Sequence, residues 1–167
     1  TNCFRVLTMM TLGMTGVGAA FAADKSNGAD NFYSSDKVTM QKVEFKNQYN
    51  MKIAGNLFIP KGLKQNSKNP AIIVGHPMGA VKEQSANLYA TKMAEQGFIT
   101  LSLDLSFWGE SEGQPRNAVA PDIYTEDFSA AVDFLRSQPS VDKERVGALG
   151  ICGSGSFVIS AAKIDPR

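Results

Sequence analysis

The sequence predicts an α/β fold with a mostly parallel sheet covered by helices on both faces. Residues 71–75 form a continuous apolar run, which is typical of a strand buried on both faces. Downstream, two segments with helical apolar spacing alternate with further apolar runs, and such strand–helix–strand units have right-handed crossovers and parallel strands. Upstream, residues 38–59 alternate apolar and polar around a polar turn at 47–50, which predicts an antiparallel hairpin at the sheet edge.

The elements predicted after the hairpin follow one another without an internal repeat. They are a strand at 71–75, a helix at 84–96, a strand at 98–103, a helix at about 123–137, a strand at 145–149 and a final helix. Gly97 is expected to end the first helix. The side chains at helical spacing are Leu88, Tyr89, Lys92 and Met93 in the first helix, Phe128, Ala131, Val132 and Leu135 in the second, and Phe157, Val158, Ala161 and Ala162 in the third.

Composition and charge limit the partners of this domain. The 167 residues include 17 Lys and Arg against 16 Asp and Glu, a net charge of +1, with no block of like charges. Because this balance gives no attraction for polyanions, we expect neither nucleic acid nor an anionic membrane surface as a partner. The single His and the two Cys form no metal-ligand cluster, and we expect no metal and no organic cofactor. A small molecule is the expected partner.

The first 22 residues have the layout of a secretory signal peptide. They contain one basic residue, Arg5, no acidic residue, and an apolar run that ends in an A-x-A pattern at 20–22. A buried N-terminal helix is the alternative, and three glycines within six residues disfavour it. We therefore expect cleavage after Ala22, a flexible leader at 23–36, a folded domain at 37–167, and a periplasmic or secreted protein with no membrane contact beyond the signal peptide.

The candidate chemistry lies between the last predicted strand and the last predicted helix. The stretch is Gly150-Ile151-Cys152-Gly153-Ser154-Gly155, which has the layout of a nucleophile elbow. In an elbow the nucleophile occupies a tight, strained turn, and the residues two positions before and after it must be small. Gly150 and Ser154 meet that requirement for Cys152. The carboxyl end of the sheet is where α/β folds bind ligands, and the N-terminus of the following helix favours a thiolate.

Three other interpretations of this stretch compete with the elbow. A nucleotide-binding turn needs G-x-G-x-x-G or G-K-[ST], whereas the glycines here are spaced G-x-x-G-x-G. A structural cysteine in a packing turn stays open, because unpaired cysteines are often core residues. A redox thiol is disfavoured, because removal of the signal peptide with Cys3 leaves no second cysteine to resolve an oxidised Cys152.

Three further motifs accompany the elbow. They are His76-Pro77-Met78-Gly79 after the third strand, Asp104-Leu105-Ser106-Phe107-Trp108-Gly109-Glu110-Ser111 after the fourth, and Val141-Asp142-Lys143-Glu144-Arg145-Val146-Gly147 before the elbow. Together with Cys in a G-x-C-x-G-like elbow, they resemble the α/β hydrolases, and within them the dienelactone-hydrolase-like branch. The resemblance covers most of the chain from about Lys37 onward, and the one departure in the elbow is Ser154, a small residue in place of the usual second Gly.

The resemblance implies an oxyanion hole made of two backbone N–H groups. Gly153, which follows the nucleophile, would supply one. Met78 would supply the other, because Pro77 has no N–H. His76 would shape this loop, with direct pairing to Cys152 as the alternative. Asp104 would be an end-of-strand turn residue, and the aromatic pair at 107–108 either packs or lines the substrate pocket, of which packing is favoured.

In the family that the chain resembles, the acid and the histidine of the catalytic triad follow the nucleophile, whereas no histidine follows His76 here. The resemblance therefore implies the N-terminal part of a larger exported hydrolase, truncated after the nucleophile helix, that acts on a small-molecule carboxylic ester, lactone or related acyl bond. Such a fragment exposes a sheet edge, through which we expect self-association. The alternative function is a non-catalytic binding domain on the same fold.

Overall fold

The computed structural model describes residues 33–64 and 66–167. The predicted signal peptide and most of the predicted leader lie outside the described residues. In the described part, five strands and three helices follow one another as β1 (Val38–Lys46), β2 (Lys52–Pro60), β3 (Asn69–Gly75), α1 (Ser85–Glu95), β4 (Ile99–Leu103), α2 (Pro121–Ser137), β5 (Val141–Gly150) and α3 (Gly153–Ile164). None of the helices in these residues has the length and apolar character needed to cross a bilayer.

The five strands form one sheet in the order β1-β2-β4-β3-β5. β3 pairs in parallel with β4 and with β5, while β2 pairs antiparallel with β1 and β4, so β2 alone runs opposite to the other four. The predicted α/β class with an antiparallel hairpin at one edge is therefore confirmed. The parallel register brings the ends of β3, β4 and β5 to one edge, because Gly75 pairs with both Leu103 and Gly150.

Helices cover both faces of the sheet. The core beneath α2 and α3 contains the buried sheet residues Ile53, Leu57, Ile73, Leu101 and Leu103, and the smaller core beneath α1 contains Phe58 and Val74. Because helices lie on both sides, six consecutive residues of β2 are buried, and the alternation predicted for that strand disappears there.

The face of α1 that packs on the sheet is made of small residues. Ala86, Ala90 and Ala94 are fully buried, and Thr91 is nearly so. The larger side chains at the predicted spacing lie at its flanks or in solvent, with Tyr89 46% exposed. Small residues let the helix approach the strands closely, and the buried Thr100 hydroxyl of β4 donates a 2.8 Å hydrogen bond to the Ala90 carbonyl. The α2 face is as predicted, since Phe128, Ala131 and Leu135 are buried and Val132 is partly so.

β5 is longer than predicted and lies at the sheet edge opposite to β1. In the described part of the chain it pairs with β3 alone, and most of its side chains beyond Val141 are exposed or half-buried. The outer face of α3 is likewise open, with Ile159 72% and Ile164 70% exposed. Self-association through this edge stays a prediction.

Candidate active site

Cys152 occupies the turn between the end of β5 and the start of α3. Its backbone has φ 55° and ψ −118°, a left-handed φ that a residue with a Cβ adopts only under constraint from its surroundings. The side chain is exposed and its thiol is free among the described residues. This strained, exposed position on a strand-to-helix turn is the geometry of a nucleophile elbow.

Close packing explains the small residues at both flanks of the turn. An ideal Cβ at Gly150 would lie 2.3 Å from the Ser154 carbonyl oxygen, so no larger residue fits there. Ser154 is fully buried, and a Cβ at Gly75 would lie 2.8 Å from the Cβ of Ser154. A Cβ at Gly155 would make an ordinary 3.6 Å contact with the Gly150 carbonyl oxygen. The steric demand therefore falls on Gly150, Ser154 and Gly75 rather than on Gly155.

Two hydrogen bonds tie the elbow to the end of β3. The Ile151 N–H donates to the Gly75 carbonyl at 3.1 Å and extends the ladder between β3 and β5. The Ser154 hydroxyl donates to the His76 carbonyl. The elbow and the loop that begins at His76 are thus one connected piece of structure.

His76 is buried, and both of its ring nitrogens have partners. Nε2 lies 3.1 Å from the Leu105 N–H, which can only donate, so Nε2 is the acceptor. Nδ1 lies 2.7 Å from the Pro77 carbonyl oxygen and therefore carries the hydrogen. Burial lowers the pKa of His76, although the Pro77 carbonyl opposes that shift, and the neutral ring fits this arrangement. The alternative pairing of His76 with Cys152 is not formed.

The two predicted oxyanion-hole residues lie side by side. An ideal Cβ at Gly153 would be 3.4 Å from the Met78 nitrogen and 3.1 Å from the Met78 Cβ. Neither the Gly153 N–H nor the Met78 N–H donates a hydrogen bond within residues 33–64 and 66–167. Met78 is 47% exposed, so the loop reaches solvent at this point.

Lys82, which the sequence analysis did not single out, is a buried lysine at the end of this loop. The Lys82 ammonium is fully buried and lies 2.7 Å from carboxylate oxygens of Asp104, Glu110 and Glu83. Burial by itself would lower the pKa of Lys82, but the hydrogen bonds that the ammonium donates to the three carboxylates raise it above its usual value. Hydrogen bonds from Lys82 and then Lys42 lower the pKa of Glu110 to about 2. A lysine a few residues after the end of a buried strand, and an aspartate directly after the next strand, were the available signals in the sequence.

A second buried polar network fixes the loop after β4. The Asp127 carboxylate on α2 accepts hydrogen bonds from the Ser106 N–H at 2.7 Å, the Ser106 hydroxyl at 2.8 Å and the Asn47 amide at 2.9 Å. Asn47 in the hairpin turn also accepts from the N–H groups of Tyr49 and Met51. Burial raises the pKa of Asp127 to about 6, although these hydrogen bonds oppose the shift.

The aromatic pair at 107–108 packs into the core of the domain. Phe107 belongs to the core beneath α2 and α3. The Trp108 indole packs against the same core and donates to the Tyr124 hydroxyl at 2.8 Å. The Tyr124 ring makes an edge-on contact with Phe157 of α3.

Comparison with known proteins places this arrangement in a family. Residues 53–167 match the sequence model of the Dienelactone hydrolase family, and the chain therefore belongs to that family. The chain is 52% identical over 136 residues to the uncharacterized protein PA2218 of Pseudomonas aeruginosa, a match that covers 81% of this chain and 36% of that protein. The crystal structure of hypothetical protein PA2218 superimposes with a TM-score of 0.79 at 48% identity, covering 95% of this chain and 46% of that chain.

One further relative is named by its activity, and another has been solved with a bound substrate analogue. The thiohydrolase aneE of Aspergillus aculeatus is 35% identical over 133 residues, covering 80% of this chain and 40% of that protein. The structure of DcsB in complex with its substrate analogue superimposes with a TM-score of 0.70 at 31% identity, covering 77% of this chain and 43% of that chain. In each of these comparisons the chain spans less than half of the relative's length.

Proposed function

We propose that this chain carries the nucleophile and the oxyanion hole of a hydrolase that cleaves carboxylic ester, lactone or related acyl bonds. The observation that carries the proposal is the position of Cys152 on a strained, exposed elbow beside the open N–H groups of Gly153 and Met78. Membership of the Dienelactone hydrolase family supports it.

The chemistry follows from this geometry. The Cys152 sulfur attacks the carbonyl carbon, a C–S bond forms, and the carbonyl oxygen becomes an oxyanion that accepts hydrogen bonds from the two N–H groups. The Cys152 thiol gives up its proton to solvent as it attacks. Collapse of the intermediate then breaks the bond to the leaving oxygen, which takes a proton from solvent and becomes a hydroxyl group, and an acyl group remains on Cys152. Water must then cleave the thioester, which needs a general base. No histidine follows Cys152 and both ring nitrogens of His76 are engaged, so that role is assigned to no residue of this chain.

A second candidate is acyl transfer from or to a sulfur-linked substrate. Two relatives support it by their names, the thiohydrolase aneE and the polyketide transferase claH of Penicillium crustosum, at 35% and 32% identity. An acyl group on Cys152 is already a thioester, so hydrolysis and transfer share their first half and differ in the nucleophile that resolves it.

Acylation by p-nitrophenyl acetate tests the proposal. We expect the full chain to release about one equivalent of nitrophenolate and to carry an acetyl group on Cys152 by peptide mass spectrometry, with no sustained turnover. Cys152→Ala is the control and should release nothing beyond the background rate. A folded chain that is not acetylated at Cys152 would favour the non-catalytic binding domain. Sustained turnover that is lost in His76→Ala would instead make a Cys152–His76 pair the working site.

Export to the periplasm or the medium is a further part of this proposal. It depends on residues 1–22, which lie outside the described residues, and on their apolar run and A-x-A pattern. Mass spectrometry of exported material should find an N-terminus at or near Ala23. An intact N-terminus at Thr1 would contradict export by a cleaved signal.

A further inference from the structure

The loop between β3 and α1 is held at two points, one on either side of Met78. At its start, the His76 ring accepts the Leu105 N–H at 3.1 Å. At its end, Lys82 binds Asp104. Between these anchors the loop turns on itself through a 3.1 Å hydrogen bond from the Ala80 N–H to the Pro77 carbonyl.

The Asp104 carboxylate binds both the backbone N–H and the side-chain ammonium of Lys82. One carboxylate oxygen accepts the Lys82 N–H at 2.8 Å, and the other accepts the ammonium at 2.7 Å. Both side chains are fully buried. The ammonium also donates to Glu110 at 2.7 Å and forms an ion pair with Glu83 at 2.7 Å, so it has three carboxylate partners. A buried ammonium without partners is very costly, so Lys82 has one low-energy position, and the backbone around it is fixed with it.

The acceptor is itself anchored to the sheet. The Asp104 N–H donates to the Ala54 carbonyl of β2 at 2.9 Å, and the Asp104 carboxylate accepts the Glu110 N–H at 2.9 Å. Gly109 lies so close that an ideal Cβ there would be 2.2 Å from this carboxylate. We call the two bonds from Lys82 to the Asp104 carboxylate the Lys82 clamp. Because Asp104 is anchored to the sheet, this clamp fixes the end of the loop relative to the sheet.

We propose that Lys82 is a positioning residue that fixes the loop so that the Met78 N–H faces the space beside the Gly153 N–H. The inference rests on the proposed function, because only a reaction that develops an oxyanion needs this donor held in place. Oxyanion stabilisation depends on donors that are set before the reaction, and a displacement of about 1 Å can cost on the order of a hundredfold in rate. Lys82 does not act as a base, since its three carboxylates keep it an ammonium.

Two reagents separate positioning from general support of the fold. Acylation by p-nitrophenyl acetate passes through an oxyanion, whereas alkylation by iodoacetamide displaces iodide at a saturated carbon and forms none. In Lys82→Met we expect acylation of Cys152 to slow by roughly tenfold to a hundredfold, with alkylation changed by less than about twofold. An equal fall in both rates, or no fall in acylation, would overturn the proposal.

Two further variants control for other causes of slower acylation in Lys82→Met. Lys82→Met leaves the Asp104 charge buried without a partner, so the double variant Lys82→Met/Asp104→Asn removes that cost and should show the same selective loss. Lys42→Met is the matched control, because Lys42 also binds Glu110, at 3.0 Å, but is exposed, and Glu110 is the one hydrogen-bond partner of its ammonium among the described residues. We expect it to change neither rate, and a loss equal to that of Lys82→Met would overturn the role of the buried clamp.

Amide hydrogen exchange tests the clamp without any acylation. The N–H groups of Ala80 and Val81, which donate to the Pro77 carbonyl and to the Gln84 side chain, should exchange at least tenfold faster in Lys82→Met, while those of β3 stay protected. Unchanged exchange in the loop would overturn the inference whatever the chain does to esters. A wild-type chain that alkylates but does not acylate would refute the proposed function, and faster loop exchange in Lys82→Met would still show that the clamp exists.

Discussion

The elbow and the loop after β3 meet at the candidate site, but different contacts shape them. The backbone of the elbow is set by crowding between near neighbours, since Gly150 has no room for a Cβ against the Ser154 carbonyl. The loop is set by partners more than 20 positions away, Leu105 for His76 and Asp104 for Lys82. The comparison teaches that the tight turn of the elbow is set by local sterics and is then docked on β3 by Ile151 and Ser154, whereas the loop takes its conformation from partners across the assembled sheet.

The residues that leave β4 connect these contacts. Asp104 binds Lys82, Leu105 donates to the His76 ring, and Ser106 donates to Asp127. Three consecutive residues thus anchor the loop after β3 on one side and helix α2 on the other. Each anchor uses a different chemistry, an ion pair, a bond to a neutral imidazole and a bond to a carboxylate. Residues 104–106 at the end of β4 therefore hold the loop after β3, which carries Met78, in place.

The largest effect is expected where the elbow packs most tightly. In Ser154→Val the second branch on Cβ has no space against Gly75, and the hydrogen bond to the His76 carbonyl is lost. Overpacking and the unmade bond together should lower the free energy of unfolding by about 3–5 kcal/mol, which is a large fraction of the stability of a typical domain. Urea denaturation measures it.

Ser154→Ala is the matched control, because it deletes the hydroxyl without adding volume. We expect it to cost about 1–2 kcal/mol and to leave the chain folded. If Ser154→Val were as stable as the wild type, the close packing of the elbow would be wrong, and Cys152 would be better described as a cysteine in an ordinary turn.

The next largest effect is expected at Asp127, the buried carboxyl group on α2 that binds Ser106 at the end of β4. Burial raises the pKa of Asp127 from 3.8 to about 6, so in this range the folded state binds more protons than the unfolded state. Stability from this group is therefore present below about pH 4 and is lost as the pH rises through about 6. The loss amounts to about 3 kcal/mol for a shift of about two pKa units.

Unfolding free energies at several pH values, for the wild type and for Asp127→Asn, measure this contribution. His76 acts in the opposite direction, because its lowered pKa makes stability fall as the pH falls, so the difference between the two proteins isolates Asp127. We expect that difference to depend on pH between about 4 and 7. A difference that stays constant across this range would show that Asp127 is ionised throughout and that the network contributes no proton linkage.

The contrast between local and distant contacts also explains what the sequence could predict. The elbow was found from the order strand, Gly-x-Cys-x-Ser, helix, because its sterics act between neighbours in the chain. The element order and the hairpin followed from periodicity. The Lys82 clamp was missed, because the pairing of Lys82 with Asp104 depends on β3 and β4 being neighbours in register. The buried face of α1 was missed because alanines carry little hydrophobic signal, although small residues let a helix lie close to a sheet.

The smallest effect is expected where the elbow contacts the loop after β3. In Gly153→Ala the new Cβ would lie 3.1 Å from the Met78 Cβ and 3.4 Å from the Met78 nitrogen, so the loop must shift by a few tenths of an ångström. We expect acylation by p-nitrophenyl acetate to slow by about tenfold, which is about 1.4 kcal/mol of lost oxyanion stabilisation. The rate of alkylation by iodoacetamide should stay within about twofold, because alkylation forms no oxyanion.

Met78→Ala provides the matched comparison for this last prediction. The proposed donor is the backbone N–H of Met78, which this substitution keeps, while the long side chain is removed. Because that side chain is 47% exposed, its loss should disturb little packing, and we expect acetylation of Cys152 to change by less than about twofold. A fall as large as that in Gly153→Ala would assign the contribution to the Met78 side chain rather than to its N–H. If both variants acylate at the wild-type rate, the two regions meet in space without forming an oxyanion hole, and the elbow would have to stabilise the intermediate with the Gly153 N–H alone.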